Sequence, residues 1–203
     1  MKTLYFDCFA GASGDMILGA MVAVGVDPNF LRQQLSLLPV SGFSVNFETV
    51  NRSGLSATYA RVETAPEREH RHLADIKEII DRSGLAEQVK QRAIQIFTRL
   101  AEAEARVHNE PVDHVHFHEV GALDAIVDVV GAAICFEFLK IDRFVCSPLH
   151  VGSGMVQMAH GSFPIPPPAV AELLKGVPFY STDLQGELLT PTGAAIITTV
   201  CNE

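Results

Sequence analysis

The stretch LYFDCFAGASGDMILGAMVAVG, residues 4–25, decides how the chain is read. Leu4 to Phe9 has the apolar run of a short buried strand, and Ala10 to Gly14 is a loop of small residues. Asp15 then opens an apolar helix that reaches about Gly25. Outward from this unit the alternation continues. Pro28 sits in the first turn of a second helix ending near Pro39. Phe43 to Val50 and Leu55 to Thr64 alternate apolar and polar residues around Asn51-Arg52-Ser53-Gly54, a hairpin signal. Leu85, Val89, Ala93, Ile96, Leu100, Ala103 and Val107 step by threes and fours, which predicts one long amphipathic helix. A further helix spans Val120 to about Lys140. A strand follows from Phe144 to Val151, then a glycine-rich turn and a proline-rich segment. A helix from Pro168 to Lys175, a strand from Val177 to Thr182 and a helix from Thr192 to Val200 complete the order. The fold expected is α/β or α+β: a mixed sheet with helices packed around it, in one domain over residues 1–203.

Composition narrows the function. A chain of 203 residues buries roughly 70% of its unfolded surface, so it needs no disulfide or metal to hold a core. Its net charge of −9 opposes a polyphosphate backbone and argues against nucleic-acid binding. The four cysteines, Cys8, Cys135, Cys146 and Cys201, form no CxxC pair and read as reduced thiols of a cytoplasmic protein. Early acidic residues argue against a signal peptide, and no apolar run is long enough for a membrane span. The chain stops at Glu203 just after an apolar run, with neither cap nor glycine, which reads as a truncated end.

Four segments carry the residue types that chemistry needs. In the first, His114, His116 and His118 would project from one side of an extended strand and offer imidazole nitrogens to Ni, Zn, Fe or Cu. Glu119 begins the following helix, on which Asp124 and Asp128 are four residues apart and share a face. Between Pro111 and Leu139 there are five acidic residues, three histidines and no Lys or Arg, so a divalent ion is the natural counter-charge. The second segment is the loop after the first strand. Gly11, Ser13 and Gly14 offer backbone N–H groups to an anion at a helix start, and Asp7 and Asp15 could meet a cation or a ribose. It is neither a Walker loop nor a dinucleotide fingerprint. In the third, glycines surround His150, and His160 follows, each a ligand or an acid/base. In the fourth, Thr190 and Thr192 frame a helix start that either holds phosphate or is simply capped.

Together the stretches FDCFAGASGDM (6–16), HVHFHEVGALDAIVDVVGA (114–132), SPLHVGSGMVQMAHGSFPIPPPAVAELL (147–174) and GELLTPTGAA (186–195) closely resemble the LarC nickel-insertion proteins. The resemblance implies insertion of Ni(II) into pyridinium-3,5-bisthiocarboxylic acid mononucleotide, with nickel–carbon and nickel–sulfur bonds formed. The product would be the nickel-pincer cofactor of lactate racemase. It also implies CTP with Mn or Mg, bound by a C-terminal domain that this chain would lack, and a partnership with that domain or with further copies of the chain. A His-rich stretch of the family corresponds here to residues 67–72, with only His70 and His72. Ligand chemistry, not the resemblance, picks out His114, His116, His118, Asp128, His150 and His160 for metal and Glu119 or Asp124 for proton removal. Two other readings stand beside this one: a metal-binding or assembly module without catalysis, and a metal-dependent phosphoesterase.

Overall fold

The computed structural model describes residues 1–65, 71–117, 122–158 and 161–201. The chain opens with β1 (Thr3–Phe6), α1 (Gly14–Ala23) and α2 (Pro28–Leu35), followed by the long hairpin β2 (Phe43–Arg52) and β3 (Leu55–Thr64). The short β4 (Arg71–His72) leads to α3 (Leu73–Asp81) and α4 (Glu87–His108). Next come β5 (His116–Phe117), α5 (Leu123–Leu139) and β6 (Arg143–Cys146). Short strands β7 (Leu149–His150), β8 (Gly152–Ser153), β9 (Met155–Met158) and β10 (Gly161–Pro164) precede α6 (Pro168–Leu173). The described chain ends with β11 (Phe179–Tyr180), β12 (Gly186–Glu187) and α7 (Pro191–Val200).

Local chemistry accounts for these limits. Asp27 accepts from the Asn29 N–H at 2.9 Å and caps α2, with Pro28 in the first turn. Ser53 and Gly54 both have positive φ, 51° and 89°, the pair of values a two-residue hairpin turn requires. Strand β2 therefore runs on to Arg52, two residues past the expected limit. α4 presents Val89, Ala93, Ile96 and Leu100 to the core, and Asn109 ends it in the left-handed region. α5 is buried on every side from Val129 to Phe136. Gly131 makes room there for Leu18 of α1, since a Cβ at Gly131 would lie 2.9 Å from Leu18 Cδ2.

Both hydrogen-bonding modes occur: β1 pairs with β6 and β7 with β11 in parallel, while the β2–β3, β4–β5, β8–β12 and β9–β10 pairs are antiparallel. The strand expected over Phe144 to Val151 is broken at Ser147-Pro148. Proline has no N–H to give a ladder, so β6 stays with β1 and β7 joins β11. Leu73, Ile76 and Ile80 form the buried stripe of α3, which lies ahead of the periodic run that begins at Leu85. One cluster of buried apolar side chains runs through the elements from Phe6 to Val200. No helix among the described residues is long and apolar enough to cross a membrane.

Candidate functional site

Two loops far apart in sequence cross in space. Gly11 sits at φ +78°, and a Cβ there would lie 1.9 Å from the Leu188 carbonyl oxygen. The Ala12 N–H donates to that oxygen at 2.9 Å, and the Thr190 N–H donates to the Ala12 carbonyl at 3.1 Å. Gly193 allows the same closeness from the other side, because a Cβ on it would be 2.2 Å from the Ala12 oxygen. The Thr190 hydroxyl accepts from the Gly193 N–H at 3.2 Å, so Thr190 is the N-cap of α7. The crossing brings the N-terminus of α7 beside that of α1.

A cavity of about 330 Å³ opens at this junction. Ser13, Gly14 and Asp15 line it from the start of α1, and Thr190, Pro191 and Thr192 from the start of α7. Asp124 and Asp128 enter from the first turns of α5. β3 closes the remaining side with Tyr59, Ala60 and Val62. Three helix N-termini thus face one space, each contributing partial positive charge from its unpaired N–H groups.

The three carboxylates differ. Asp15 accepts the Ser13 hydroxyl, and Asp124 Oδ1 accepts the Ala125 N–H at 2.9 Å. Asp128 Oδ1 is buried with no hydrogen-bond partner among the described residues. Burial first, and then the nearby charges of Asp15 and Asp124, push the Asp128 carboxyl up to about 8. Gly14 is what admits Asp128 here, since a Cβ at that position would lie 2.2 Å from Asp128 Oδ2.

The other residues singled out in the sequence are distributed elsewhere. Asp7 is exposed and lines a separate, largely apolar groove between β1 and α1. His114 is exposed in a 3-10 turn over Val112–His114, so the extended three-histidine strand is not formed: only His116–Phe117 is a strand. The Pro111 corner is the local reason, for proline at the start of a turn favours the tight helical winding that follows. The backbone register of β5 on β4 sets His116 opposite His72. His118, Glu119 and His160 lie outside the described residues, as does Val120. Among the described residues no three His, Cys, Asp or Glu side chains are grouped so as to hold a metal ion. Cys8 is buried, and burial pushes its thiol up to about 12, as befits a core residue. The β3 wall carries no signal in the sequence, and Gly193, although it stands in the GELLTPTGAA stretch, gives no local sign of its close approach to Ala12.

His150 is buried with both ring nitrogens engaged, Nδ1 at 2.8 Å from the Phe9 carbonyl oxygen and Nε2 at 3.0 Å from the Thr182 hydroxyl. Its ring stacks on Tyr180 with centroids 4.6 Å apart. This is the bonding of a brace that ties β7 to the first loop. His150→Ala is expected to cost about 2–4 kcal/mol in urea denaturation, from lost hydrogen bonds and a cavity. Ni(II) affinity in calorimetry should stay unchanged. Lost nickel binding with unchanged stability would reverse the assignment.

The family described as "Nickel insertion protein" matches residues 4–203. A "Putative nickel insertion protein" of Dictyoglomus thermophilum is 48% identical over 202 residues, covering 100% of this chain and 52% of the relative. A "Pyridinium-3,5-bisthiocarboxylic acid mononucleotide nickel insertion protein" of Desulfitobacterium hafniense is 50% identical over 203 residues, covering 100% and 50%. One of the same name from Acetivibrio thermocellus is 45% identical over 214 aligned residues, covering 100% and 53%. No solved structure matches. The chain spans about half the length of the curated relatives it matches. Matched along nearly its whole length, it belongs to the nickel insertion protein family.

Proposed function

We propose that this chain holds a pyridinium mononucleotide carrying two thiocarboxylates, and that nickel is inserted in the cavity between α1, α5 and α7. The observation that carries this reading is Asp128: a buried, unpartnered carboxyl oxygen beside Asp15 and Asp124 at the wall of an open cavity. Among the described residues no Lys or Arg lines that cavity, so an arriving divalent cation would meet no competing positive side chain there. The backbone N–H groups at the starts of α1 and α7, with the Thr192 hydroxyl, suit the phosphate.

Nickel enters as a substrate, and the two soft sulfurs of the thiocarboxylates are its ligands. The ring carbon between them must lose a proton for a nickel–carbon bond to form. Its C–H electron pair stays on carbon and goes to nickel, and the proton passes to the Asp128 carboxylate. A carboxyl poised near 8 is a stronger base than an ordinary aspartate, and an arriving cation favours its ionised form. Asp124, exposed at the same wall, is the second acceptor. The segment His114, His116, His118 and Glu119 runs in sequence into α5 and is assigned to nickel delivery. CTP and its Mn or Mg ion are assigned to the part of the relatives that this chain does not span. The product fits the cofactor of lactate racemase, made in the cytoplasm, where the four free cysteines would remain reduced.

The test fills the cavity. In the full-length protein, Thr192→Phe should abolish nickel incorporation into the mononucleotide, followed by mass spectrometry, and leave the melting temperature within a few degrees. Insertion at the wild-type rate would overturn the reading.

A further inference from the structure

Among the described residues no strand pairs with the outer edge of β3, and part of that edge forms a wall of the cavity. The Ala65 N–H donates to the Gly42 carbonyl at 2.7 Å, in line with the register that pairs Thr64 with Phe43. Hydrogen-bonded and non-hydrogen-bonded pairs alternate along an antiparallel ladder. The odd-numbered residues of β3 therefore bond to β2, and Thr58, Ala60 and Val62 turn their N–H and C=O groups outward. α1 covers the first part of this edge: a Cβ at Gly19 would lie 2.4 Å from the Thr58 oxygen and 3.4 Å from the Ala60 nitrogen. One step along, α1 has reached its N-terminus and the edge meets the cavity, which Ala60 and Val62 line. Among the described residues no other strand pairs with β3 and the Val62 N–H has no hydrogen-bond partner.

We propose that the Val62 N–H is a substrate-recognition point, donating to the oxygen of one thiocarboxylate. A thiocarboxylate has two unlike ends: the soft sulfur prefers nickel, and the harder oxygen accepts hydrogen bonds. A donor fixed in a strand edge holds the oxygen and so turns the sulfur of the same group toward the metal. Because the donor is backbone, a change of side chain at position 62 that keeps its packing leaves the donor in place. The inference rests on the cavity reading above and adds which group of the substrate meets which wall.

The test removes one N–H in the full-length protein by replacing the Val62 amide with an ester, leaving the side chain and the β2 ladder intact. Affinity for the bisthiocarboxylic acid mononucleotide, measured by calorimetry without nickel, should fall roughly 10- to 100-fold, the effect of one hydrogen bond to a charged group. With a pyridinium mononucleotide lacking both thiocarboxylates, the same ester should cost nothing. Val62→Ala should bind within a few-fold of wild type, and Val62→Pro, tolerated where a strand N–H faces outward, should repeat the ester result. An ester that binds like wild type, while Thr192→Phe still blocks binding, overturns the inference and leaves the cavity reading standing. If neither change affects binding, both fall. An equal loss with both ligands, or with Val62→Ala, assigns the effect to packing and also overturns it.

Discussion

Asp128→Asn is expected to slow nickel insertion by roughly 10²- to 10⁴-fold, the usual contribution of a positioned general base, while leaving mononucleotide affinity nearly unchanged. The wild-type rate at limiting substrate should rise with pH through about 8, where Asp128 ionises, and the variant should lose that limb. Stability should respond in the opposite sense. Asp128 ionises near 3.8 in an unfolded chain and near 8 in the folded one. Between those values the folded chain holds one proton more than the unfolded chain, so stability falls as pH rises through that window and levels off above it. The full window amounts to on the order of 5–6 kcal/mol, and asparagine, which does not ionise, removes it. Thermal melts should therefore show Asp128→Asn gaining roughly 10–20 °C on wild type at pH 9 and little at pH 4. A variant that inserts nickel normally, or whose advantage does not grow with pH, would refute this role.

The largest loss of stability is expected from Gly11→Ala. The methyl group would meet the Leu188 carbonyl oxygen at 1.9 Å and its carbon at 2.3 Å, both backbone atoms that no rotamer change can move. The residue would also have to keep φ near +78°, which costs an L-residue about 1–2 kcal/mol. Relief requires the two loops to part, which breaks the Ala12–Leu188 and Thr190–Ala12 hydrogen bonds. A total of about 4–5 kcal/mol follows, at the extreme end for a single methyl group. Gly25→Ala is the control: φ is +117° there, but nothing lies within 4 Å of the added carbon. It should cost only its conformational share, about 1–2 kcal/mol. Urea midpoints of the two variants decide the matter, and a Gly11→Ala chain within 1 kcal/mol of wild type would mean the loops do not cross as described.

Much of this was written in local patterns. The apolar spacing of Val89 to Leu100 specified α4, and the four-residue separation of Asp124 and Asp128 put both on one face of α5. The small-residue loop before α1 and the Thr-Pro-Thr start of α7 were each legible as helix starts able to meet an anion. That they share one cavity was not, because the pairing of Ala12 with Leu189 is a tertiary contact between distant loops. The histidine segment misled for a related reason: alternation suggested a strand through His114, whereas Pro111 opens a turn that takes His114 out of it. The role of β3 was hidden too. Which of its residues face outward depends on the parity of a ladder, and a hairpin sequence reads the same for either parity.

The loop crossing also bears on synthesis. β1 and α1 are made long before Leu188 and Thr190, yet the shape of their connecting loop depends on those two residues. A nascent chain can bury α1 against α5 long before the cavity exists. Binding competence should therefore appear abruptly, only once α7 has been made and joins the fold. Until then a partly made chain cannot sequester the mononucleotide in this cavity.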